Sequence, residues 1–252
     1  MCLILFAYQS HPHYPLLVAA NRDEFYARPT APMAYWEDIP ELLAGRDLQA
    51  GGTWLGITRS GRFAAITNYR DPRSVLPNAP SRGHLVSDFL KSRESGRVYL
   101  ERLLPRGSDY NGFNLLLGDG KELLYYSNQN GALQTLQPGI YGLSNHLLNT
   151  PWPKVERGRR KLAALLEKGD LPSTEDLLAL LQDRTRAADE ALPNTGVSLA
   201  QERIYSPLFI ESPDYGTRSS TILRVDQQGK VTVTEKTWDD GSLREFQLQW
   251  LY

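Results

Sequence analysis

Apolar residues fill the first strand-like segment of the chain, which reads CLILFAY over residues 2–8. A segment that is apolar on both faces is typical of a strand covered on both sides. After a polar turn, the apolar run at residues 16–20 predicts an antiparallel partner, joined to the first strand by a long hairpin loop. This second run stops abruptly at the polar tetrapeptide 21–24, and an aromatic residue follows at once.

The same patterns predict the remaining elements. Turn-forming dipeptides between apolar runs predict hairpins that turn at Ser60-Gly61, Asp119-Gly120 and Gln228-Gly229. Short strands are expected near residues 42–45, 139–145 and 244–252. Helices are expected over residues 82–92 after a Ser81 cap, 98–104, 153–167 with Gly169 as the stop, and 177–183 after Ser173. Residues 26–40, with three prolines, and residues 184–208 give no regular pattern.

The order of elements predicts the fold class. Strands come first, followed by two helices, more strands, two helices and final strands. Because the strands come as hairpins, the order excludes a doubly wound parallel sheet and favours an α+β, layered arrangement with antiparallel sheets inside and helices outside. We find no repeat and no linker, so we expect a single domain over residues 1–252.

Composition narrows the function classes. A net charge of −1 over 252 residues argues against non-specific binding to nucleic acid, which needs a strong positive field. The apolar runs are too short for an integral membrane segment, and the N-terminus lacks the features of a secretory signal, so we expect a cytoplasmic protein. Four scattered histidines give no metal-binding pattern, and we expect no metal and no cofactor.

The single cysteine, Cys2, follows the initiator methionine. If that methionine is removed, residue 2 carries both a thiol and a free α-amino group. The reference pKa values are about 7.7–8 for the amine and about 8.5 for the thiol, so the amine can take the thiol proton. Cys2 is therefore either a buried small hydrophobe, the usual role of a lone cysteine, or an N-terminal nucleophile.

The first predicted hairpin places candidate partners beside this cysteine. The second strand runs back toward the N-terminus, so its polar end should lie next to Cys2. Arg22 would lower the thiol pKa, and Asp23 could anchor the α-ammonium. The tetrapeptide is otherwise a surface ion-pair turn.

Other polar residues close buried strands. Asn68 and Tyr69 end one predicted strand and Asn145 ends another, where side-chain amides could stabilise an oxyanion or simply form turns. Arg218 stands at the mouth of a late strand, where it could bind an anionic group or be exposed. Trp54 could line an apolar groove or belong to the core.

The ordered set of motifs resembles the NRDE family, also called the transport and Golgi organization 2 family. The matching segments are NRDE at 21–24, GGTWLG at 51–56, TNYR at 67–70, GLSN at 142–145 and GTRSSTI at 216–222. The resemblance implies a four-layer αββα sandwich of the N-terminal-nucleophile (Ntn) hydrolase type. That fold is similar to cysteine amidohydrolases that cleave bile salts, penicillin V and ceramides.

The resemblance also implies residue roles. Cys2 would be the nucleophile, Arg22 and Asp23 its supports, and Asn68 and Asn145 the oxyanion donors. We expect the bound compound to contact Asn21, Glu24, Trp54, Tyr69 and Arg218. One departure matters: in the amidohydrolases two residues separate the Arg from the Asp, whereas Arg22 and Asp23 are adjacent and should point to opposite faces of a strand.

Two functions remain open from the sequence. The first is an Ntn-type cysteine hydrolase that cleaves an amide or thioester of an acyl compound through an acyl-enzyme. The second is a non-catalytic protein that binds or transports haem, an acyl-CoA or a lipid in the same cleft. Haem binding calls for an axial ligand, for which the histidines offer no motif.

Overall fold

The computed structural model describes residues 2–131, 133–167 and 171–250. The expected helix stop at Gly169 lies outside these residues. The strands are β1 (Cys2–Tyr8), β2 (Leu16–Phe25), β3 (Thr30–Trp36), β4 (Ile39–Asp47), β5 (Leu55–Thr58), β6 (Phe63–Asn68), β7 (Phe113–Gly118), β8 (Leu123–Ser127), β9 (Leu133–Thr135), β10 (Gly139–Leu143), β11 (Tyr215–Val225), β12 (Lys230–Thr237) and β13 (Leu243–Gln249). The helices are α1 (Gly83–Lys91), α2 (Gly96–Leu103), α3 (Pro153–Leu166), α4 (Thr174–Leu181) and α5 (Leu199–Tyr205).

The chain divides into two compact units. The first unit contains residues 1–27 and 137–248, and the second unit contains residues 28–136 and 249–252. The expectation of one domain over the whole chain stays a prediction.

A six-stranded sheet forms the first unit, in the order β10-β1-β2-β11-β12-β13. Alternate residues of its central strands form a buried cluster with helices α3 and α4. The cluster includes Leu3, Leu5, Leu17, Ala19 and Ile222 from the sheet and Val155, Leu162, Leu177 and Leu181 from the helices. Gly158 allows α3 to approach closely, because a Cβ atom there would lie 2.7 Å from Cδ1 of Leu5.

A seven-stranded sheet forms the second unit, in the order β3-β4-β5-β6-β7-β8-β9. Helices α1 and α2 cover one of its faces. The buried cluster between them includes Leu85, Phe89 and Leu100 from the helices and Ile66, Leu115 and Leu117 from the sheet. The pairings given for both sheets are antiparallel. The predicted α+β class with two antiparallel sheets is therefore confirmed.

Two local expectations were wrong. Residues 26–40 were expected to be irregular but contain β3. Residues 184–208, for which no element was predicted, contain α5, which begins with a capping box formed by Ser198 and Gln201. Ser81 does not cap α1, whose first turn has no side-chain cap. By contrast, Ser173 caps α4 as expected, through a capping box with Asp176.

Candidate functional site

The start of β1 lies beside the polar end of β2. The register pairs Cys2 with Arg22 and Leu3 with Asn21. Directly opposed residues share a face of an antiparallel sheet, so Arg22 lies on the face of Cys2, while Asn21 and Asp23 point to the other face. The prediction that the hairpin brings the tetrapeptide next to Cys2 is confirmed.

The environment of the Cys2 thiol holds it in the protonated form. Its side chain keeps some exposed surface, but burial of the sulfur is the largest influence and raises the thiol pKa above its ordinary value. The Asp23 carboxylate raises this pKa further, whereas the Arg22 guanidinium and a hydrogen bond from the backbone N–H of Asp23 oppose the increase. A nucleophilic role for this thiol therefore requires a base.

One hydroxyl fixes the Asp23 carboxylate. Thr217 in β11 donates a 2.7 Å hydrogen bond from Oγ1 to Oδ1 of Asp23. The Oγ1 atom of Thr217 also accepts a 3.0 Å hydrogen bond from the backbone N–H of Ile210. Both side chains are buried. Two strands and the segment before β11 thus hold the carboxylate in one orientation.

Asn21 forms three hydrogen bonds inside the first unit. Its Nδ2 donates to the carbonyls of Leu181 and Leu208, each at 2.9 Å, and its Oδ1 accepts a 2.6 Å bond from Ser220 Oγ. These bonds join β2 to the end of α4 and to the segment that follows α5. The predicted contact between Asn21 and a bound compound stays a prediction, and these bonds give the side chain a structural role.

On the other side of β1, β10 brings in Ser144 and Asn145. Ile4 pairs with Leu143, so the two residues after Leu143 run alongside Leu3 and Cys2. Ser144 Oγ lies 3.3 Å from the carbonyl oxygen of Cys2 and 3.2 Å from Oδ1 of Asn145. Because Asn145 is fully buried, its amide is held at the flank of β1.

Glu24 and Arg218 lie near the far end of β2. Glu24 pairs with Gly216, and its Oε1 accepts a 2.9 Å bond from the backbone N–H of Phe25. Arg218 forms an ion pair with Asp239 and donates a 2.9 Å bond to the carbonyl of Phe25. Their predicted roles in binding stay predictions.

The structure brings together four predicted residues, namely Cys2, Arg22, Asp23 and Asn145, within the first unit. Asn68, Tyr69 and Trp54 belong to the second unit. Asn68 ends β6 opposite Phe113. The backbone N–H of Tyr69 donates 2.8 Å to the carbonyl of Gly112, and Trp54 packs against the second unit's core. Their predicted roles as oxyanion donor and as substrate contacts stay predictions.

Sequence reasoning did not identify Tyr215, the first residue of β11. Its ring packs edge-on against Phe25 and Tyr205, with centroid distances of 5.1 and 5.5 Å. The side chain is buried, and its hydroxyl has no hydrogen-bond partner among the described residues. Burial, followed by the nearby Asp23, Cys2 and Glu24, raises the pKa of Tyr215 well above its ordinary value.

Thr217 and Ser144 were also not identified as parts of the site. The signal was present, because both belong to motifs quoted above, GTRSSTI and GLSN. What the sequence did not show was that β11 lies directly beside β2.

Metal-binding clusters and membrane-spanning helices are both absent from the residues that the structure describes. Across residues 2–131, 133–167 and 171–250, no three His, Cys, Asp or Glu side chains are grouped so that they could hold a metal ion. Within the same residues, no helix has the length and apolar character needed to cross a membrane.

Two solved structures have a fold similar to that of this chain. A mutant of conjugated bile acid hydrolase from Clostridium perfringens matches with a TM-score of 0.58 at 9% identity, covering 100% of this chain and 97% of that chain. An N-acylethanolamine-hydrolyzing acid amidase ortholog from Caenorhabditis elegans matches with a TM-score of 0.51 at 10% identity, covering 88% and 92%. At such identities the likeness shows the fold alone, which is that of the Ntn hydrolases.

Sequence comparisons define the family. The model of the Transport and Golgi organisation 2 family matches residues 1–240. The Bos taurus Transport and Golgi organization protein 2 homolog is 39% identical, over 99% of this chain and 100% of its own length. The Homo sapiens homolog is 37% identical, over 98% and 96%. The chain belongs to the Transport and Golgi organisation 2 family, which confirms the family predicted from the sequence.

Proposed function

We propose that this protein is an N-terminal cysteine hydrolase that cleaves an amide or thioester of a small acyl compound in the cytoplasm. The observation that carries the proposal is the register that pairs Cys2 with Arg22. It puts the thiol beside a cation, with a backbone N–H of Asp23 directed at the sulfur. These are the supports that a thiolate nucleophile needs.

Each step conserves atoms and charge. The free α-amine of residue 2 takes the proton of the thiol, and the sulfur attacks the carbonyl carbon to form an S–C bond. The C–N or C–S bond of the substrate then breaks, and the leaving group takes the proton from the ammonium. Water, deprotonated by the same amine, attacks the thioester, so that the acid is released and the thiol is restored.

The surrounding residues have distinct roles in this scheme. Arg22 stabilises the thiolate, and the Asp23 carboxylate, fixed by Thr217, orients the amine. Asn145 donates a hydrogen bond to the oxyanion. Since the thiol pKa is raised, the reaction requires removal of Met1, because an acylated nitrogen cannot act as the base.

Support also comes from the fold. Two structural neighbours are named for hydrolysis of acyl compounds, a conjugated bile acid in one and N-acylethanolamines in the other. In our proposal, the substrate of this protein is likewise a small acyl compound. Which acyl compound is cleaved depends on the residues around the cleft.

The test uses the fact that Cys2 is the single cysteine of the chain. We expect the purified protein to have a mass short of one methionine and to gain one acyl group when it reacts with a p-nitrophenyl acyl ester. The Cys2→Ser variant should gain no thioester-linked group. A protein that starts at Cys2 but forms no adduct, yet binds an acyl-CoA or haem saturably, would show that the alternative, a non-catalytic carrier, is correct.

A further inference from the structure

The hydroxyl of Ser144 contacts both the proposed nucleophile and the proposed oxyanion donor. Its oxygen lies 3.3 Å from the carbonyl oxygen of Cys2 and 3.2 Å from Oδ1 of Asn145. Neither of these oxygens carries a proton, so the hydroxyl is the donor in both contacts. Because the two distances are almost equal, its single proton is shared in a three-centre bond. This bond joins the main chain of residue 2 to the side chain of Asn145.

Burial makes the shared bond important. Ser144 is 2% exposed and Asn145 is fully buried, so bulk water cannot readily replace a lost donor. A buried carbonyl oxygen that loses its donor costs free energy, and a side-chain amide can recover part of that cost by turning about its last torsion angle. The hydroxyl of Ser144 therefore limits the rotation of the Asn145 amide.

The orientation of this amide determines its chemical role. A primary amide has an acceptor oxygen on one side and two N–H donors on the other. Because Oδ1 of Asn145 accepts from Ser144, the N–H donors point away from that hydroxyl. The reverse orientation would present the amide oxygen to the negative charge that develops on an attacked carbonyl, and would repel this charge instead of stabilising it.

We propose that Ser144 is a positioning residue that holds the amide nitrogen of Asn145 toward the oxyanion formed during attack by Cys2. The register of β1 with β10 supports this placement, because Ile4 pairs with Leu143 and the chain continues from Leu143 through Ser144 to Asn145. The effect on catalysis rests on the proposed hydrolase function, whereas the orientation of the amide does not.

The first arm of the test compares two reactions of Cys2 in protein that begins at this residue. Acylation by p-nitrophenyl butyrate forms an oxyanion and releases p-nitrophenolate, whereas alkylation by iodoacetamide displaces iodide without forming an oxyanion. We expect Ser144→Ala to lower the maximal acylation rate about tenfold, less than the loss of the oxyanion donor itself would. The half-saturating ester concentration and the alkylation rate should not change. Ser144→Thr, which keeps the hydroxyl, should retain most of the acylation rate.

A double-mutant cycle tests whether Ser144 acts through Asn145. In Asn145→Ala the hydroxyl has no amide to position, so adding Ser144→Ala should not slow acylation further. The matched control is Ser127→Ala, because Ser127 is also buried and donates a 3.0 Å bond to the carbonyl of Phe113 in the second unit. This control should leave both reactions unchanged. Additive losses in the double variant, or equal slowing of acylation and alkylation by Ser144→Ala, would overturn the proposal.

The second arm does not depend on turnover. The two side-chain N–H protons of Asn145, assigned by their loss in Asn145→Ala, exchange places by rotation about the C–N bond, and NMR exchange spectroscopy measures the rate. A hydrogen bond to the amide oxygen increases the double-bond character of the C–N bond, so Ser144→Ala should speed this rotation about threefold. An unchanged rate would show that Ser144 does not hold the amide. If the unmodified protein releases no p-nitrophenolate, the hydrolase proposal fails, and the rotation rate still decides whether Ser144 orients Asn145.

Discussion

At the scale of single residues, Thr217 shows how a site can depend on one hydroxyl outside the NRDE tetrapeptide. Its oxygen donates to the Asp23 carboxylate and accepts from the backbone of Ile210. An aspartate buried without such bonds would become protonated, because burial disfavours its charged form. Thr217 therefore supports both the position and the charge of Asp23.

Replacing Thr217 with valine, which keeps the shape of the side chain, should destabilise the protein. The carboxylate of Asp23 and the N–H of Ile210 would each lose a partner, so we expect the free energy of unfolding to fall by about 2 kcal/mol. Urea denaturation measures this. Thr237→Val is the matched control, because its hydroxyl has no hydrogen-bond partner among the described residues; equal losses in the two variants would contradict the role of Thr217.

The sequence could predict the neighbours of Cys2 but not those of Asp23. The pairing of Cys2 with Arg22 follows from a hairpin, which is local. The partner of Asp23 depends on β11, whose register shifts between Thr217 and Ser219. Simple alternation would put these two residues on one face, whereas the bulge pairs them with Asp23 and Arg22, which point to opposite faces.

At the scale of elements, β3 shows where a local pattern misleads, and α5 shows where local patterns predict nothing. Three prolines suggested an irregular segment over residues 26–40, but β3 lies at the edge of its sheet, where a missing N–H is tolerated. The register shifts between Ala31 and Ala34, around Pro32. The sequence signal for α5 was its capping box, but a capping box can be recognised only when the short helix that follows it is already known.

The junction of α3 with the end of α4 depends on Asp183. This buried carboxylate accepts from Arg157 Nε at 3.0 Å and Lys161 Nζ at 2.7 Å, and from the backbone N–H of Thr185 at 2.8 Å. Burial opposes ionisation, but hydrogen bonds from Lys161 and Thr185 and the charge of Arg157 outweigh it and hold the Asp183 pKa far below its usual value.

A lowered pKa in the folded state means that Asp183 stabilises the protein above the unfolded-state pKa of about 3.9, and that this contribution is lost progressively as the pH falls below that value. Asp183→Asn should cost roughly 2 kcal/mol at pH 7, less than a fully buried pair because Lys161 is half-exposed. Urea midpoints from pH 7 to pH 3 should decline less steeply in this variant. The control is Asp189→Asn, which removes the exposed carboxylate of the ion pair between Asp189 and Arg203. This substitution should change the free energy of unfolding little at pH 7. If the urea midpoint of Asp183→Asn falls with decreasing pH as steeply as that of the unmodified protein, this assignment is contradicted.

At the scale of the whole molecule, the two units differ in how the chain builds them. The second unit is almost continuous, over residues 28–136, whereas the first combines residues 1–27 with residues 137–248. The candidate site therefore depends on pairings between distant parts of the sequence. No local pattern encodes such a pairing, which explains why hairpins were predicted well and the place of β11 was not.

This difference predicts an order of folding. Closing the β2–β11 pair requires contacts such as that between Asn21 and Ser220, 199 residues apart, and long loops are slow to close. Pulse-labelling hydrogen exchange during refolding should therefore protect amides of β5 to β8 before those of β2 and β11. If all these amides become protected together, the order is wrong.

A pair of variants tests the cause of that order. Asn21→Ala leaves the carbonyls of Leu181 and Leu208 without their donor, so it should cost about 3 kcal/mol and slow protection of β2 and β11 alone. Asn114→Ala is the matched control, because Asn114 bonds Thr67 and Tyr125 within the second unit, across 47 and 11 residues. Asn114→Ala should instead slow the protection of amides in β5 to β8. If Asn21→Ala slows both units equally, folding is limited by a step common to both units, and the closure of distant strands is not what delays the candidate site.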